Sequence, residues 1–279
     1  MVVVNREIGE PEYQLFSQFL ERQSGIVLGD KKQYLVRSRL APLIENFGFT
    51  SLSELASNAA KNHNAPLRTA VIEAMTTNET LWFRDGYPFD LLKKTLLVNY
   101  TKKRTPLRVW SAACSSGQEA YSIAMTILDY QKQDRHAFSS GVQIVGTDIS
   151  DDMLMRCQEA EYDNLSLSRG LPDTHKQEYF EASKGSKLRL KANVRKMASF
   201  KPINLLDSYS AMGKFDIIFC RNVLIYFSPK VKKRILQQIA ACLQDDGILF
   251  LGASESISDL STDFKMVRCS PGLYYTKKN

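Results

Sequence analysis

The chain predicts an α/β fold. A doubly wound, mostly parallel sheet with a terminal antiparallel hairpin carries a small antiparallel β-subdomain, behind an all-helical N-terminal domain. Three observations lead there. The first 75 or so residues read as short amphipathic helices. After Pro106, strand, small-residue turn and helix alternate. One stretch near residue 190 breaks that alternation with a loose two-residue period.

In the N-terminal part, Leu15, Phe16, Phe19 and Leu20 make one apolar face that stops at Gly25. Leu40, Leu43, Ile44 and Phe47 make a second, stopped by Gly48. Ser51-x-x-Glu54 is a capping box for a third helix. Pro66 suits the first turn of a fourth, whose inward face carries Leu67, Val71, Ile72 and Met75. Residues 1–75 are therefore a helical domain, 76–105 a linker, and 106–279 the α/β domain.

The α/β part opens with the strand Leu107–Trp110, a small-residue loop and a helix to about Tyr130. A second strand, Val142–Val145, ends at Gly146-Thr147-Asp148. Phe215–Cys220 is nearly all apolar, as a strand covered on both faces should be. A helix over Pro229–Leu243 passes through an Asp245-Asp246-Gly247 turn into the strand Ile248–Leu251. Phe264–Arg268 and Leu273–Tyr275 flank Ser270-Pro271-Gly272 as a hairpin. The exception, about 178–201, alternates around Lys184-Gly185-Ser186 and reads as an inserted antiparallel β-subdomain.

Composition narrows the function. With 44% hydrophobic and 24% charged residues and a mean hydropathy of −0.26, the chain is neither disordered, collagen-like nor membrane-spanning. Met1-Val2-Val3-Val4 runs at once into Asn5-Arg6-Glu7, too short for a signal peptide, so a cytoplasmic location is expected. The five cysteines are odd in number and show no CxxC spacing, as buried thiols in a reducing compartment would. His63, His136 and His175 lie in polar stretches without ligand spacing. They read as solvated surface, and no metal is assigned. The net charge of +7 points to an acidic partner. It is local: residues 1–85 carry 9 basic and 10 acidic side chains, whereas Lys184 to Lys201 holds seven bases and no acid.

In an open parallel sheet, ligands sit beyond the carboxyl ends of the strands. The loop there, Trp110-Ser-Ala-Ala-Cys-Ser-Ser-Gly117-Gln-Glu119, has a single glycine and no lysine. Small residues let a ligand approach, but the loop is poorly suited to cradling a pyrophosphate. Asp148, at the end of the next strand, suits the two ribose hydroxyls. Together they fit S-adenosylmethionine, a nucleoside without phosphates. A tight loop followed by an N-capping Asp is the competing reading. Two further segments carry polar groups beside aromatics. Thr76-Thr-Asn78-Glu-Thr80-Leu-Trp-Phe-Arg84-Asp85 otherwise reads as an interdomain linker with a cap. Arg221-Asn222 directly follows the Phe215–Cys220 strand, and the run to Phe227 otherwise reads as a satisfied strand end with Tyr226 half-buried.

Taken together, TTNET-x-x-FRD, WSAACSSGQEAYSIAM, GTDIS and FDIIFCRNVLIYF resemble the CheR family of chemotaxis receptor glutamate methyltransferases over nearly the whole chain. The resemblance implies a class I methyltransferase fold and transfer of a methyl group from S-adenosylmethionine to glutamate side chains of methyl-accepting chemotaxis receptors, leaving S-adenosylhomocysteine. By motif, Asn78, Thr80 and Arg84 line the cofactor from the linker side, Glu119 meets its methionine amino group, and Asp148 holds the ribose. Asn204 and Leu205 lie against the adenine, and Arg221 and Asn222 close the methionine end. Arg84 and Tyr226 are the residues tied to activity. The implied partner is the cytoplasmic methylation region of these receptors, met by a monomer that binds no nucleic acid and does not insert in a membrane.

A nucleic-acid methyltransferase, prompted by the basic pI, is the main alternative. Cys220-Arg221-Asn222-Val223 matches neither the Asp/Asn-Pro-Pro-aromatic motif of amino-directed base methylases nor the Pro-Cys nucleophile of cytosine-C5 enzymes. A non-catalytic adaptor would have lost Arg84, Asp148 or Tyr226, and all three are present. Lys31, Lys32, Arg37 and Arg39 form a basic stretch on the second helix that either meets the acidic receptor or is a solvated face covering the core with its alkyl stems. Relatives that dock a receptor's C-terminal pentapeptide carry a glycine-richer loop than Lys184-Gly185-Ser186, so recognition independent of the pentapeptide is expected.

Overall fold

A proline in the first turn and Glu10 and Glu12 against the positive end of the helix dipole start α1 (Glu10–Ser24). Gly25, at φ +77°, ends it by donating its N–H to the Glu21 carbonyl. The computed structural model describes residues 6–61, 64–257 and 259–278; Met1–Val4 and His63, read above, lie outside them. Contacts divide the chain into two units. One runs to Thr77 and takes in Tyr226–Val231; the other comprises Asn78–Ile225 and Lys232–Asn279.

The first unit holds α1, α2 (Gln33–Asn46), α3 (Leu52–Lys61) and α4 (Ala65–Met75). Phe16, Phe19, Leu20, Val36, Leu40, Ile44, Leu55 and Val71 form its core; Ile72, expected inward, is half-buried. The box on α3 closes differently from its expected form. Ser51 Oγ accepts the Glu54 N–H at 3.1 Å, but the Glu54 carboxylate turns back to the N–H and hydroxyl of Thr50 at 2.9 and 2.8 Å, one residue earlier than Ser51. These bonds lower its pKa. The basic stretch on the second helix also changes meaning. Lys31 and Lys32 precede α2, and Arg37 pairs with Glu7 at 2.6 Å. Arg39 caps the end of α4, donating to the Met75 and Thr76 carbonyls at 2.6 and 2.8 Å and to Thr77 Oγ1 at 2.9 Å. A helix end with unpaired carbonyls claims a nearby guanidinium before a solvated surface does. Tyr226 joins this unit through its carbonyl, which accepts the Val27 N–H at 2.9 Å beside an Ile26–Phe227 bridge.

The second unit begins with α5 (Tyr87–Leu91) and a π and a 3₁₀ turn to Tyr100. This stretch lies within the expected linker, yet Phe89, Leu91, Leu92, Leu96, Leu97 and Tyr100 are core residues of the α/β unit. Next come β1 (Leu107–Ala112), α6 (Gln118–Gln133), β2 (Val142–Asp148), α7 (Asp151–Glu159), β3 (Glu161–Tyr162), α8 (Asn164–Ser168) and α9 (Asp173–Tyr179). They are followed by β4 (Phe180–Ala182), β5 (Leu188–Leu190), α10 (Ala192–Arg195), β6 (Ala198–Pro202), β7 (Phe215–Cys220), α11 (Pro229–Cys242), β8 (Leu243–Leu251), β9 (Phe264–Cys269) and β10 (Gly272–Lys277). The main sheet runs β6-β2-β1-β7-β8-β10-β9, parallel from β6 to β8 and antiparallel in the hairpin. All six residues of β7 are buried, as its unbroken apolar run requires.

Three expectations need correction. Asp245-Asp246-Gly247 is not a turn before β8. Pairing with β7 jumps from Phe215↔Leu243 to Ile217↔Ile248, so the two exposed aspartates bulge out of a continuing strand. The β-subdomain is not 178–201 either. Its sheet is β3-β5-β4, and β6 instead extends the main sheet parallel to β2. The single-turn helix α10 separates the two. It switches the chain from one sheet to the other, and loose alternation alone does not register that change. Finally, His175 is not solvated surface: its Nε2 lies 3.1 Å from Asp129 and its ring 5.0 Å from that of Phe83.

Candidate functional site

At the carboxyl edge of the sheet the backbone is bent sharply. After β1, Ala113 and Ser115 have φ of +56° and +49°, and Gly117 +93°; after β7, Asn222 has +57°; in the polar segment before α5, Phe83 and Asp85 have +46° and +66°. Left-handed non-glycine residues are uncommon, and they gather where surrounding contacts force a loop into one shape. At Gly117 a Cβ would meet Cys157 Sγ, the Tyr121 ring and the Tyr162 hydroxyl at 3.1–3.2 Å, so glycine is needed on both grounds.

Asp148 ends β2 beneath the first loop. One carboxylate oxygen accepts the Ser115 N–H at 2.8 Å and the other the Ser150 N–H at 3.1 Å. Burial pushes its pKa up, and those N–H donors partly oppose the shift. Asn204 and Leu205 follow directly after β6. The Ile203 N–H reaches the Asp148 carbonyl at 3.0 Å, and Asn204 Oδ1 accepts the Leu206 N–H at 3.0 Å. Leu205 is buried. On the other side, Ser115 Oγ donates to the Asn78 carbonyl at 2.9 Å, bringing the polar segment onto the loop. Thr80 is half-buried between Asn78 and Arg84 in sequence.

Arg221 is the hub. Its side chain is 1% exposed, and its fork reaches Glu119 at 2.9 Å, Asp85 at 2.7 Å and the Arg84 carbonyl at 2.8 Å. Glu119 is held on its other oxygen by Ser111 Oγ at 2.8 Å. Thus β1, α6, β7 and the polar segment are joined by one buried guanidinium, whose planar fork lysine could not replace. Motif order expects Arg221 at the cofactor's methionine end; in the structure its guanidinium is taken up by Glu119, Asp85 and the Arg84 carbonyl. Arg84 is different. Its guanidinium makes one long contact, 3.3 Å to the Glu79 carbonyl, and among the described residues it forms no ion pair.

Glu255, which the sequence reading passed over, holds the β7 loop. It accepts the N–H groups of Asn222 at 2.7 Å, Gly252 at 2.8 Å and Ile225 at 3.3 Å. Its signal was its place after the end of β8. Asp85 and Ser111 were also missed, each adjacent to a motif residue. Gly170 packs so tightly that a Cβ would sit 2.3 Å from the Trp82 carbonyl, and Trp82 donates its N–H to the Arg169 carbonyl at 3.0 Å. Cysteine chemistry is disfavoured. A hydrogen bond to Cys157 and burial push the Cys114 thiol well up, and burial does the same to Cys220. In the first unit, Tyr226 lines a cavity of about 110 Å³ together with Lys32, Leu35, Arg39 and Met75.

Two family models cover almost the whole chain: "CheR methyltransferase, all-alpha domain" over residues 11–76 and "CheR methyltransferase, SAM binding domain" over 78–273. The chain belongs to the CheR methyltransferase family. The chemotaxis protein methyltransferase of Vibrio parahaemolyticus is 53% identical over 271 residues, covering 97% of this chain and 98% of that one. Chemotaxis protein methyltransferase 1 of Pseudomonas aeruginosa is 49% identical, covering 96% and 98%. The Escherichia coli chemotaxis protein methyltransferase is 32% identical, covering 93% and 89%. The protein is accordingly an S-adenosylmethionine-dependent methyltransferase of chemotaxis, with a class I fold behind the family's all-helical domain. The residues present fit that cofactor. The loop offers no phosphate-binding lysine, one carboxylate (Asp148) stands at the end of β2 and another (Glu119) in the first turn of α6, and Asn222 Oδ1 is buried without a partner, an acceptor for an amino or hydroxyl donor.

Proposed function

We propose that the enzyme esterifies glutamate side chains of methyl-accepting chemotaxis receptors, acting as a monomer on their cytoplasmic methylation region. Bound S-adenosylmethionine supplies an electrophilic methyl group and leaves as S-adenosylhomocysteine. Asp148 would take the ribose and Glu119 the amino group, with Asn204 and Leu205 against the adenine. Asn78, Thr80, Arg84, Arg221 and Asn222 would complete the enclosure.

The observation that carries the substrate assignment is Arg84, a site cation that no carboxylate of the described protein has claimed. A glutamate side chain, with an ordinary pKa near ~4.3, is already an anion at neutral pH and needs no base. It needs orientation and removal of water. Consistent with that, among the described residues no histidine stands in the site: His175 is held by Asp129 and His136 is exposed. Arg84 and Tyr226 would orient the carboxylate by hydrogen bonding, without proton transfer.

Recognition without the receptor pentapeptide is supported by the short β4–β5 connection, which Ser183 N–H closes onto the Lys187 carbonyl at 3.0 Å. Among the described residues no helix is long and apolar enough to cross a membrane. The test is methyl-labelled cofactor with receptor-containing membranes, and in parallel with RNA and DNA. Label on the receptor released as volatile methanol by mild base is the expected result; base-stable label on nucleic acid would refute the assignment. Calorimetric titration with the pentapeptide should show no binding, and micromolar affinity would overturn that part.

A further inference from the structure

β6 is an edge strand with β2 as its one neighbour in the sheet. The hydrogen bonds to β2 run from the Ile144 N–H to the Met197 carbonyl at 3.0 Å and from the Ile203 N–H to the Asp148 carbonyl at 3.0 Å, in a parallel register of Ile144↔Ala198 to Asp148↔Pro202. In that register residues 197, 199, 201 and 203 turn their backbone groups towards β2. Ala198 and Phe200 therefore turn both N–H and C=O outward, and Pro202 only its C=O. A proline, lacking the donor, is tolerated at an edge.

The edge adjoins an open groove of about 430 Å³, walled by Tyr121, Gln158, Arg195, Lys196 and Phe200. Arg195 and Lys196 line it, and Lys201 lies on β6 itself. Arg195, Lys196 and Lys201 form no ion pair among the described residues. Arg195 Nε is moreover a buried donor with no partner. Charge decides which strand could pair here. A second copy would bring the same cations against these, and like charges across a strand pair are destabilising. That repulsion guards the edge against self-association. An acidic strand meets complementary charge instead.

We infer that β6 is a docking edge for an extended acidic peptide segment, which adds as a further strand of the main sheet with its carboxylates on Arg195, Lys196 and Lys201. Main-chain bonds to Ala198 and Phe200 would supply affinity and the cations the selection. This edge is separate from the β3-β5-β4 sheet, and its cations are not among the residues assigned to the cofactor.

Three fluorescent seven-residue probes test it on the full chain by anisotropy: an alternating Val-Glu peptide, its Val-Lys counterpart, and a Val-Glu peptide N-methylated on every second residue of the pairing edge. The Val-Glu peptide should bind, and raising the salt should weaken it. The Val-Lys and N-methylated peptides should each bind at least about tenfold more weakly. K196E/K201E should lose about the same factor with methyl transfer intact, and amide exchange at Ala198 and Phe200 should slow in the complex. Equal binding of the N-methylated peptide would reduce the site to charge adsorption and overturn strand addition. So would protection confined to β3-β5-β4, or no binding of the Val-Glu probe at low salt.

Discussion

Replacing Arg221 by methionine removes the one group that joins Glu119, Asp85 and the Arg84 carbonyl. The volume is nearly kept, so the loss is electrostatic. Breaking a buried ion pair from one side costs about 3–5 kcal/mol, because the partner charge stays behind. Glu119 is 14% exposed and Asp85 29%, and water can rescue Asp85 better. The lower end, about 3 kcal/mol, is therefore expected, a fall in Tm of roughly 6–12 °C for a unit of this size. R221K restores a charge but not the fork, and should recover less than half. Adding Glu119→Gln to R221M removes the stranded carboxylate, so the double variant should be more stable than the sum of the two singles by at least about 1 kcal/mol. Thermal unfolding of the wild type and the four variants (R221M, R221K, E119Q and the double variant), with and without S-adenosylmethionine, is the assay. A fall below about 2 °C for R221M, or strict additivity, would refute the hub.

Four further outcomes follow from the geometry. Glu255→Ala strips a short charged bond from Asn222 in the β7 loop and another from Gly252 after β8, and should cost about 3 kcal/mol by denaturant midpoint, with E255Q losing about half; an unchanged midpoint would show that the loop holds itself. Because burial raises the folded pKa of Asp148 above its unfolded value, the wild type loses stability as pH rises from ~4 through the acid range, while D148N lacks that slope. The wild-type-minus-variant stability should therefore fall over that window and then level off, and a rise would contradict the assignment. Gly170→Ala drives a Cβ to 2.3 Å from the Trp82 carbonyl at φ +90°; it should cost more than about 2 kcal/mol and speed amide exchange at Trp82. Tyr226→Phe should slow receptor methylation on the order of tenfold at saturating cofactor, the effect of one hydrogen bond to a charged group, and an unchanged rate would remove Tyr226 from the chemistry.

Where a residue's environment is set by its own neighbours in sequence, the chain was readable. β7 was placed end to end because an uninterrupted apolar run fits only a strand covered on both faces. A helix was expected after the small-residue loop, and α6 is there, ending at Gln133 where the sequence suggested about Tyr130. Asp148 was singled out from its position after a strand, and it lies at the expected strand end. Glu255 was not readable, because its partners Asn222 and Ile225 lie about 30 residues away. Arg39 resembled a surface cation until the end of α4 came within its reach, 36 residues on. Tyr87–Tyr100 looked like a linker because its short helical turns carry no clean period.

By itself the sequence determined the fold class, the family and the identity of the charged groups, since periodicity and motif order are local properties. Tertiary structure decided what those charges do. It consumed Arg221 in a buried hub, turned Arg39 into a helix cap, and left Arg84 unpaired among the described residues. It also split the basic run, sending β5 to the small sheet and β6, with Lys201 on it and Lys196 just before it, to the main-sheet edge. The physical reason is common to all of these. A charge is solvated, paired or exposed according to which carbonyls and carboxylates arrive within about 3 Å of it, and only the folded chain brings them there.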